Sequence, residues 1–162
     1  AQGGTETLCG DCIFRVEDDG LLARIGGECG PLCVEVRLDS RGITGFDEGV
    51  FENLPHLMFL WLHANKLNAI PAGVFAPLAD SLIELTLYSN MLTTMPQLEG
   101  MSALETLYLH QNVIAEFPQD ALAGLTSLAS LKLHQNMLTS VPPLISLTGL
   151  RDLTLFSNAI PC

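Results

Sequence analysis

The sequence predicts an α/β solenoid: a parallel sheet of short strands along a concave side, with short helical, 3₁₀ or loop returns along the convex side. Three observations carry this. A frame of leucines closed by an asparagine recurs through most of the chain, as in Leu57-Met-Phe-Leu60-Trp-Leu62-His-Ala-Asn65-Lys-Leu67. The asparagines Asn65, Asn90, Asn112, Asn136 and Asn158 fall at intervals of 25, 22, 24 and 22 residues. Within each frame the sequence reads L-x-L, which is the two-residue period of a strand.

The five strong frames begin at Leu57, Leu82, Leu104, Leu128 and Leu150. A sixth, degenerate unit precedes them from Cys33 to Ile43, with Val36, Leu38 and Ile43 in the apolar slots and Arg41 where asparagine is expected. One short strand per unit stacks on the next. Asparagine carries two donors and an acceptor, so a row of asparagines where the chain leaves each strand reads as a buried ladder that satisfies backbone groups, not as a row of ligand contacts. The frame L-x-x-L-x-L-x-x-N-x-L resembles the leucine-rich repeat family over residues 33–160. That resemblance implies a horseshoe solenoid and a binding rather than a catalytic role, since a solenoid offers an extended surface.

The returns come in two styles. Val50-Phe51-x-x-Leu54, Val74-Phe75-x-x-Leu78 and Ala121-Leu122-x-x-Leu125 are longer, and the 22-residue units have shorter ones. Short helical or 3₁₀ turns are expected there. Pro71, Pro96, Pro118 and Pro142 mark where the chain leaves each strand turn.

A single solenoid accounts for 162 residues, divided into a cysteine-rich cap over residues 1–32 and about six repeats over 33–162. Cys9, Cys12, Cys29 and Cys33 cluster before the repeats. Their position resembles the N-terminal flank of extracellular-type leucine-rich repeat proteins, although C-x-x-C followed by C-x-x-x-C departs from the usual spacing of that flank. Two disulfides are the preferred reading, in any of three pairings; a structural zinc site and free thiols stay open. Bridges here would close the first edge of the solenoid and imply an oxidising compartment, extracellular, lumenal or periplasmic. No N-x-S/T sequon is present, which weighs slightly against a glycosylated cell-surface protein. The last unit runs through Leu153, Leu155, Asn158 and Ile160 to Cys162. Cys162 resembles the first cysteine of a C-terminal flank; packing of a partner on this end is the alternative.

Composition narrows the function. Net charge is −11 from 7 basic and 18 acidic residues, and residues 1–52 alone hold 11 acidic and 4 basic ones. A basic footprint for nucleic acid is missing. No apolar run is long enough to span a membrane as a helix. Neither G-x-S-x-G, H-E-x-x-H nor a glycine-rich phosphate loop occurs, and Cys9-x-x-Cys12 lacks the βαβ setting of a redox dithiol. A non-enzymatic chain without cofactor is expected.

The strand register gives the candidate binding residues. The column between the two leucines holds Arg37, Trp61, Thr86, Tyr108, Lys132 and Thr154. The column after the second leucine holds Asp39, His63, Tyr88, His110, His134 and Phe156, and the column before the first holds Phe59 among others. Both tyrosines, the tryptophan and three of four histidines thus share the concave face; His56, on the convex side, has no evident role. Tryptophan and tyrosine are frequent interface anchors. Phe59, Trp61, His63, Tyr88, Tyr108, His110, Lys132, His134 and Phe156 are therefore the expected protein-binding residues, with Trp61, Tyr88 and Tyr108 foremost. Lateral packing of these rings on each other as a cross-strand ladder is the competing reading, and a metal shared by His110 and His134 is a minor one. The expected function is recognition of a protein ligand by the concave face. The alternative is a structural subunit of a larger complex, docked through its end and edges.

Overall fold

The computed structural model describes residues 6–161; Cys162 lies outside them. Ten strands form two sheets. Six of them, β4 (Glu35–Arg37), β6 (Phe59–Trp61), β7 (Glu84–Thr86), β8 (Thr106–Tyr108), β9 (Ser130–Lys132) and β10 (Asp152–Thr154), lie side by side in chain order as one parallel sheet. The register advances without a slip: Val36 faces Leu60, which faces Leu85, then Leu107, Leu131 and Leu153. Each strand is three residues long and, from β6 on, centred on the first leucine of L-x-L, with the second leucine directly after it. Both leucines turn inward, and Leu60, Leu62, Leu85, Leu87, Leu107, Leu109, Leu131 and Leu133 are all 0% exposed. Burying a leucine contributes about 1.5–3 kcal/mol, so this doubled column is the main apolar axis of the molecule.

The asparagines close each turn. Asn112 shows the pattern: its Oδ1 accepts from the Leu92 amide (3.0 Å), and its Nδ2 donates to the Leu87 and Leu109 carbonyls (3.0 Å each). One carboxamide thus ties its own repeat to the preceding one. Asn90 and Asn136 do the same, and Asn65 accepts from both Arg41 and Ile43 in the degenerate first unit. The residue just before each of these positions, such as Ala64 or Gln111, sits in the left-handed region at φ near 55° (56° and 55°).

The convex returns take the 3₁₀ and loop forms among those expected. Helical returns are not found; among the described residues there is no α-helix and a single 3₁₀ turn, Ala76–Leu78. The remaining returns are chains of separate turns, as in Ala121 N to Pro118 O (3.1 Å) and Ala123 N to Asp120 O (2.9 Å). The physical reason is length and punctuation: Pro71, Pro96, Pro118 and Pro142 enter four of the returns, and Gly73, Gly100 and Gly124 take φ of 76°, 79° and 80°, which a helix cannot absorb. The architecture is therefore a solenoid of strands and turns rather than an α/β one.

The N-terminal segment builds a second sheet. β1 (Glu6–Cys9) and β2 (Cys12–Val16) form a hairpin, β3 (Leu21–Gly26) adds antiparallel, and β5 (Gly45–Phe46) adds parallel to β3. Disulfides Cys9–Cys33 and Cys12–Cys29 staple this sheet to the chain entering β4, which decides among the cysteine readings and places the chain in an oxidising compartment. Gly27, at φ +81°, is compelled: a Cβ there would lie 1.5 Å from the Asp11 carbonyl oxygen. Phe14, 0% exposed, reaches from the cap to Phe51 (centroids 6.4 Å), which stacks on Phe75 (5.8 Å), so the cap and the repeats share one core. At the far side, β10 is flanked only by β9. Leu153, Leu155 and Ile160 there are partly buried, and Phe156 is 61% exposed.

Candidate functional site

Strand register brings every candidate residue to one face, and the side chains then organise each other. Parallel strands run about 4.8 Å apart, a spacing that suits stacked rings. In the column after the second leucine, His63 stacks on Tyr88 (centroids 4.4 Å), Tyr88 on His110 (4.5 Å), His110 on His134 (4.4 Å) and His134 on Phe156 (4.4 Å). The planes are within 18° of parallel throughout. The competing expectation, a lateral ladder, thus describes how these rings are held. It leaves their outer edges along the concave face.

At one end of the row His63 Nε2 lies 3.9 Å from Asp39 Oδ2. His63 Nδ1 pairs with Thr86 Oγ1, and His134 Nδ1 with Thr154 Oγ1, each at 2.9 Å across to the following strand. His110 breaks this pattern. The residue that would serve it on the next strand is Lys132, which has no acceptor to offer, and His110 Nδ1 is buried without a hydrogen-bond partner among the described residues. A buried nitrogen of this kind is cheapest as a bare lone pair. Burial, with the neighbouring His134 and Lys132, accordingly pushes the His110 imidazole down to about 4. His134 is lowered by burial and then by Lys132; Tyr88 is raised by burial and then by Asp39. The parallel His110 and His134 planes point their in-plane lone pairs alongside one another instead of toward one point, so the pair by itself does not form a bidentate metal site. No group of three or more metal-ligating side chains occurs among the described residues.

The middle column contains two cations over rings. The Arg37 guanidinium sits 4.2 Å from the Trp61 centroid, and Lys132 Nζ sits 4.8 Å from the Tyr108 centroid. Arg37 is also paired with Glu35, and Trp61 Nε1 donates to Glu84 Oε1 at 2.9 Å. Trp61 is therefore engaged on its face and on its nitrogen, and less free than its residue type implied. Tyr108 meets His110 edge-on at 6.0 Å, joining the two columns. Phe59, half-buried, stands beside Trp61 in the outer column. What the sequence alone missed is the rim: Met91, Val113 and Met137 follow three of the ladder asparagines and are 49%, 42% and 55% exposed. Their recurrence just after Asn90, Asn112 and Asn136 was the available signal.

Comparison with known proteins agrees with this architecture. Residues 102–160 match the family model described as leucine rich repeat. The chain is 38% identical to Toll-like receptor 5 of Homo sapiens over 49% of this chain and 9% of the receptor. It is 32% identical to keratocan of Gallus gallus over 57% of this chain and 27% of keratocan. It is 38% identical to fibromodulin of Mus musculus over 57% of this chain and 31% of fibromodulin. The chain thus spans less than a third of the length of each of these relatives. Among solved structures, it superposes with TM-score 0.74 and 30% identity on a chain of the octameric complex of Latrophilin 3 (Lec, Olf), Unc5D (Ig, Ig2, TSP1) and FLRT2 (LRR), covering 79% of this chain and 40% of that one. An internalin of Listeria monocytogenes superposes at TM-score 0.66 with 24% identity, over 79% of this chain and 36% of that one, a likeness of fold. In its repeat frame, its one-strand-per-repeat parallel sheet and its disulfide-bonded first edge, the chain is similar to leucine-rich repeat proteins of the extracellular type.

Proposed function

We propose that this chain is a non-enzymatic protein-interaction module that binds a protein ligand through its concave face, with residues 1–32 serving as a cap and residues 33–162 as the binding array. The observation that carries the proposal is the ring row from His63 to Phe156, crossed by Tyr108. Its rings are fixed by stacking before any partner arrives, so little rotamer entropy remains to be lost on binding. Aromatic edges and imidazole nitrogens along one rigid surface supply both apolar contact and hydrogen bonds, the mixture found at protein interfaces. The complex with Latrophilin 3 and Unc5D that contains the superposing chain supports a partner of protein class.

The test is site-directed photocrosslinking of the whole chain in its native, oxidising surroundings. Benzoylphenylalanine at position 108 should give a discrete protein adduct, and the same group at the convex position 56 should not. Tyr88→Ala, which opens a gap in the row, should abolish the adduct at 108. Equal adducts at both positions, or indifference to Tyr88→Ala, would refute concave recognition.

A second reading has its own support. The partly buried Leu153, Leu155 and Ile160 beside an exposed Phe156 form an apolar face next to β10, onto which a subunit of a larger complex could pack. It predicts an adduct from position 153 and none from 108.

A further inference from the structure

We infer that Lys132 anchors a single side-chain carboxylate carried by an otherwise uncharged segment of the protein ligand, laid across β7 to β10; this rests on the concave-face reading above. Four observations lead to it.

Lys132 is the only lysine or arginine between Leu67 and Leu150, in a chain of net charge −11. It stands in the middle of the concave face, held above the Tyr108 ring at 4.8 Å. The molecule supplies its own control in Arg37, the other cation over a ring, which is neutralised by Glu35. Lys132 has no carboxylate within salt-bridge distance among the described residues. The two carboxylates of the outer column on β7 and β10 are already engaged, Asp152 by Ser130 Oγ (3.0 Å) and Glu84 by Trp61 Nε1 (2.9 Å).

The surroundings define what accompanies the carboxylate. On β7 to β10 the middle column, the ring column and the turn residues beyond it hold no formal charge except Lys132. The rim past them is apolar at Met91, Val113 and Met137. The flanking imidazoles of His110 and His134 are kept neutral by burial, so they neither repel Lys132 nor add a second positive charge. A polyanion is disfavoured, because one cation on a strongly acidic chain cannot offset several negative charges. One carboxylate flanked by aromatic or aliphatic side chains fits both the lone cation and the uncharged field. The partly desolvated setting beside Tyr108 makes such a pair stronger than an exposed one.

The probe is a display library of short random peptides, fused at one end and extended at the other so that only side-chain carboxylates are available, panned on the whole chain. Binders are resynthesised with acetylated and amidated ends and measured by calorimetry. The expected binders carry one Asp or Glu among apolar residues. Lys132→Gln should weaken them by roughly tenfold, Lys132→Arg by no more than about threefold. Replacing the peptide carboxylate by its amide should cost as much on the native chain and nothing further on Lys132→Gln, which is the signature of a direct pair. Tyr88→Ala should weaken every binder. If Tyr88→Ala weakens the binders and Lys132→Gln does not, Lys132 is an ordinary solvated lysine, the inference fails and concave recognition survives. If the library yields no binder, or only binders indifferent to both variants, both are overturned.

Discussion

The two halves of this solenoid are held by different kinds of contact. The first half, from the cap through β6, adds to the repeat contacts several that occur once each: two disulfides, a glycine with no room for a side chain, a phenylalanine cluster, and the Glu35–Arg37–Trp61–Glu84 chain of contacts that reaches β7. In the second half, β7 to β10, the same few contacts repeat: leucine on leucine, asparagine across the turn, ring on ring. One-off contacts fail all at once when a member is removed. Repeated contacts share the load with their neighbours, except at the end of the series.

The largest expected effect lies in the first half. Gly27→Ala forces a methyl group onto the Asp11 carbonyl, against a 1.5 Å separation at φ +81°. The chain must move away there, next to Cys29 and its bridge to Cys12. Loss of a disulfide in a small extracellular domain costs about 2–5 kcal/mol, and the variant is expected to lose on the order of 4 kcal/mol. Urea unfolding and a count of free thiols check it. Gly149→Ala, whose Cβ would sit 3.7 Å from its nearest neighbours, is the control and should change little.

Next comes the ladder. Asn112→Ala leaves the Leu92 amide without its bond at a position 7% exposed, and removes one of two bonds at the Leu87 and Leu109 carbonyls, which still accept from Asn90 and Asn136. A buried unsatisfied amide costs about 1–3 kcal/mol, and the net loss should be roughly 2 kcal/mol. Asn158 makes the corresponding bonds to Leu138, Leu133 and Leu155, but these are only partly buried. Water can replace them, and Asn158→Ala should cost about 1 kcal/mol. Equal losses in the two denaturation curves would show that the last repeat is as closed as the inner ones.

The same division governs what could be read from the sequence. Repeated contacts announce themselves by period: the leucine columns, the asparagine ladder and the shared face of Tyr88, His110 and His134 follow from counting residues. One-off contacts do not. The pairing Cys9–Cys33 with Cys12–Cys29 was one of three options, and the cap's strands β1 to β3 follow no repeat. Which form each return takes, among the short helical, 3₁₀ or loop forms expected, was not legible; one 3₁₀ turn forms, at Ala76–Leu78, and positive-φ glycines leave no room for helix. In the concave site, residue columns were legible but side-chain engagement was not. Trp61, foremost by residue type, is occupied by Arg37 and Glu84, whereas Lys132 has no carboxylate partner among the described residues.

The ring row gives a pH effect of intermediate size. His110 has an ordinary pKa of 6.5 when unfolded and about 4 in the fold. Between these values the unfolded chain binds more protons, so stability is present in full above pH 6.5, falls as pH drops toward 4, and levels below. Partial exposure discounts the size to about 1 kcal/mol. His110→Gln should remove this part of the pH dependence, measured as the difference between native and variant unfolding free energies from pH 7 to pH 4.5. A constant difference across that range would mean that His110 is not held neutral by the stack.

The smallest effect tests the turns that precede the ladder. Ala64 occupies φ 56° and Ser89 φ 53°, in the same place of successive repeats. A left-handed conformation costs an L-residue about 1–2 kcal/mol, whereas glycine adopts it freely but loses about 0.5–1 kcal/mol more entropy on folding. Ala64 has no side-chain bond to lose, so Ala64→Gly should stabilise by a few tenths of a kcal/mol, roughly the difference of those two terms. Ser89 is different, since its Oγ donates to Gln111 Oε1 at 2.7 Å. Removing that bond offsets the gain, and Ser89→Gly should come out near zero or slightly destabilising. Opposite signs at two positions with the same backbone would separate what the turn itself requires from what the second half of the molecule adds to it.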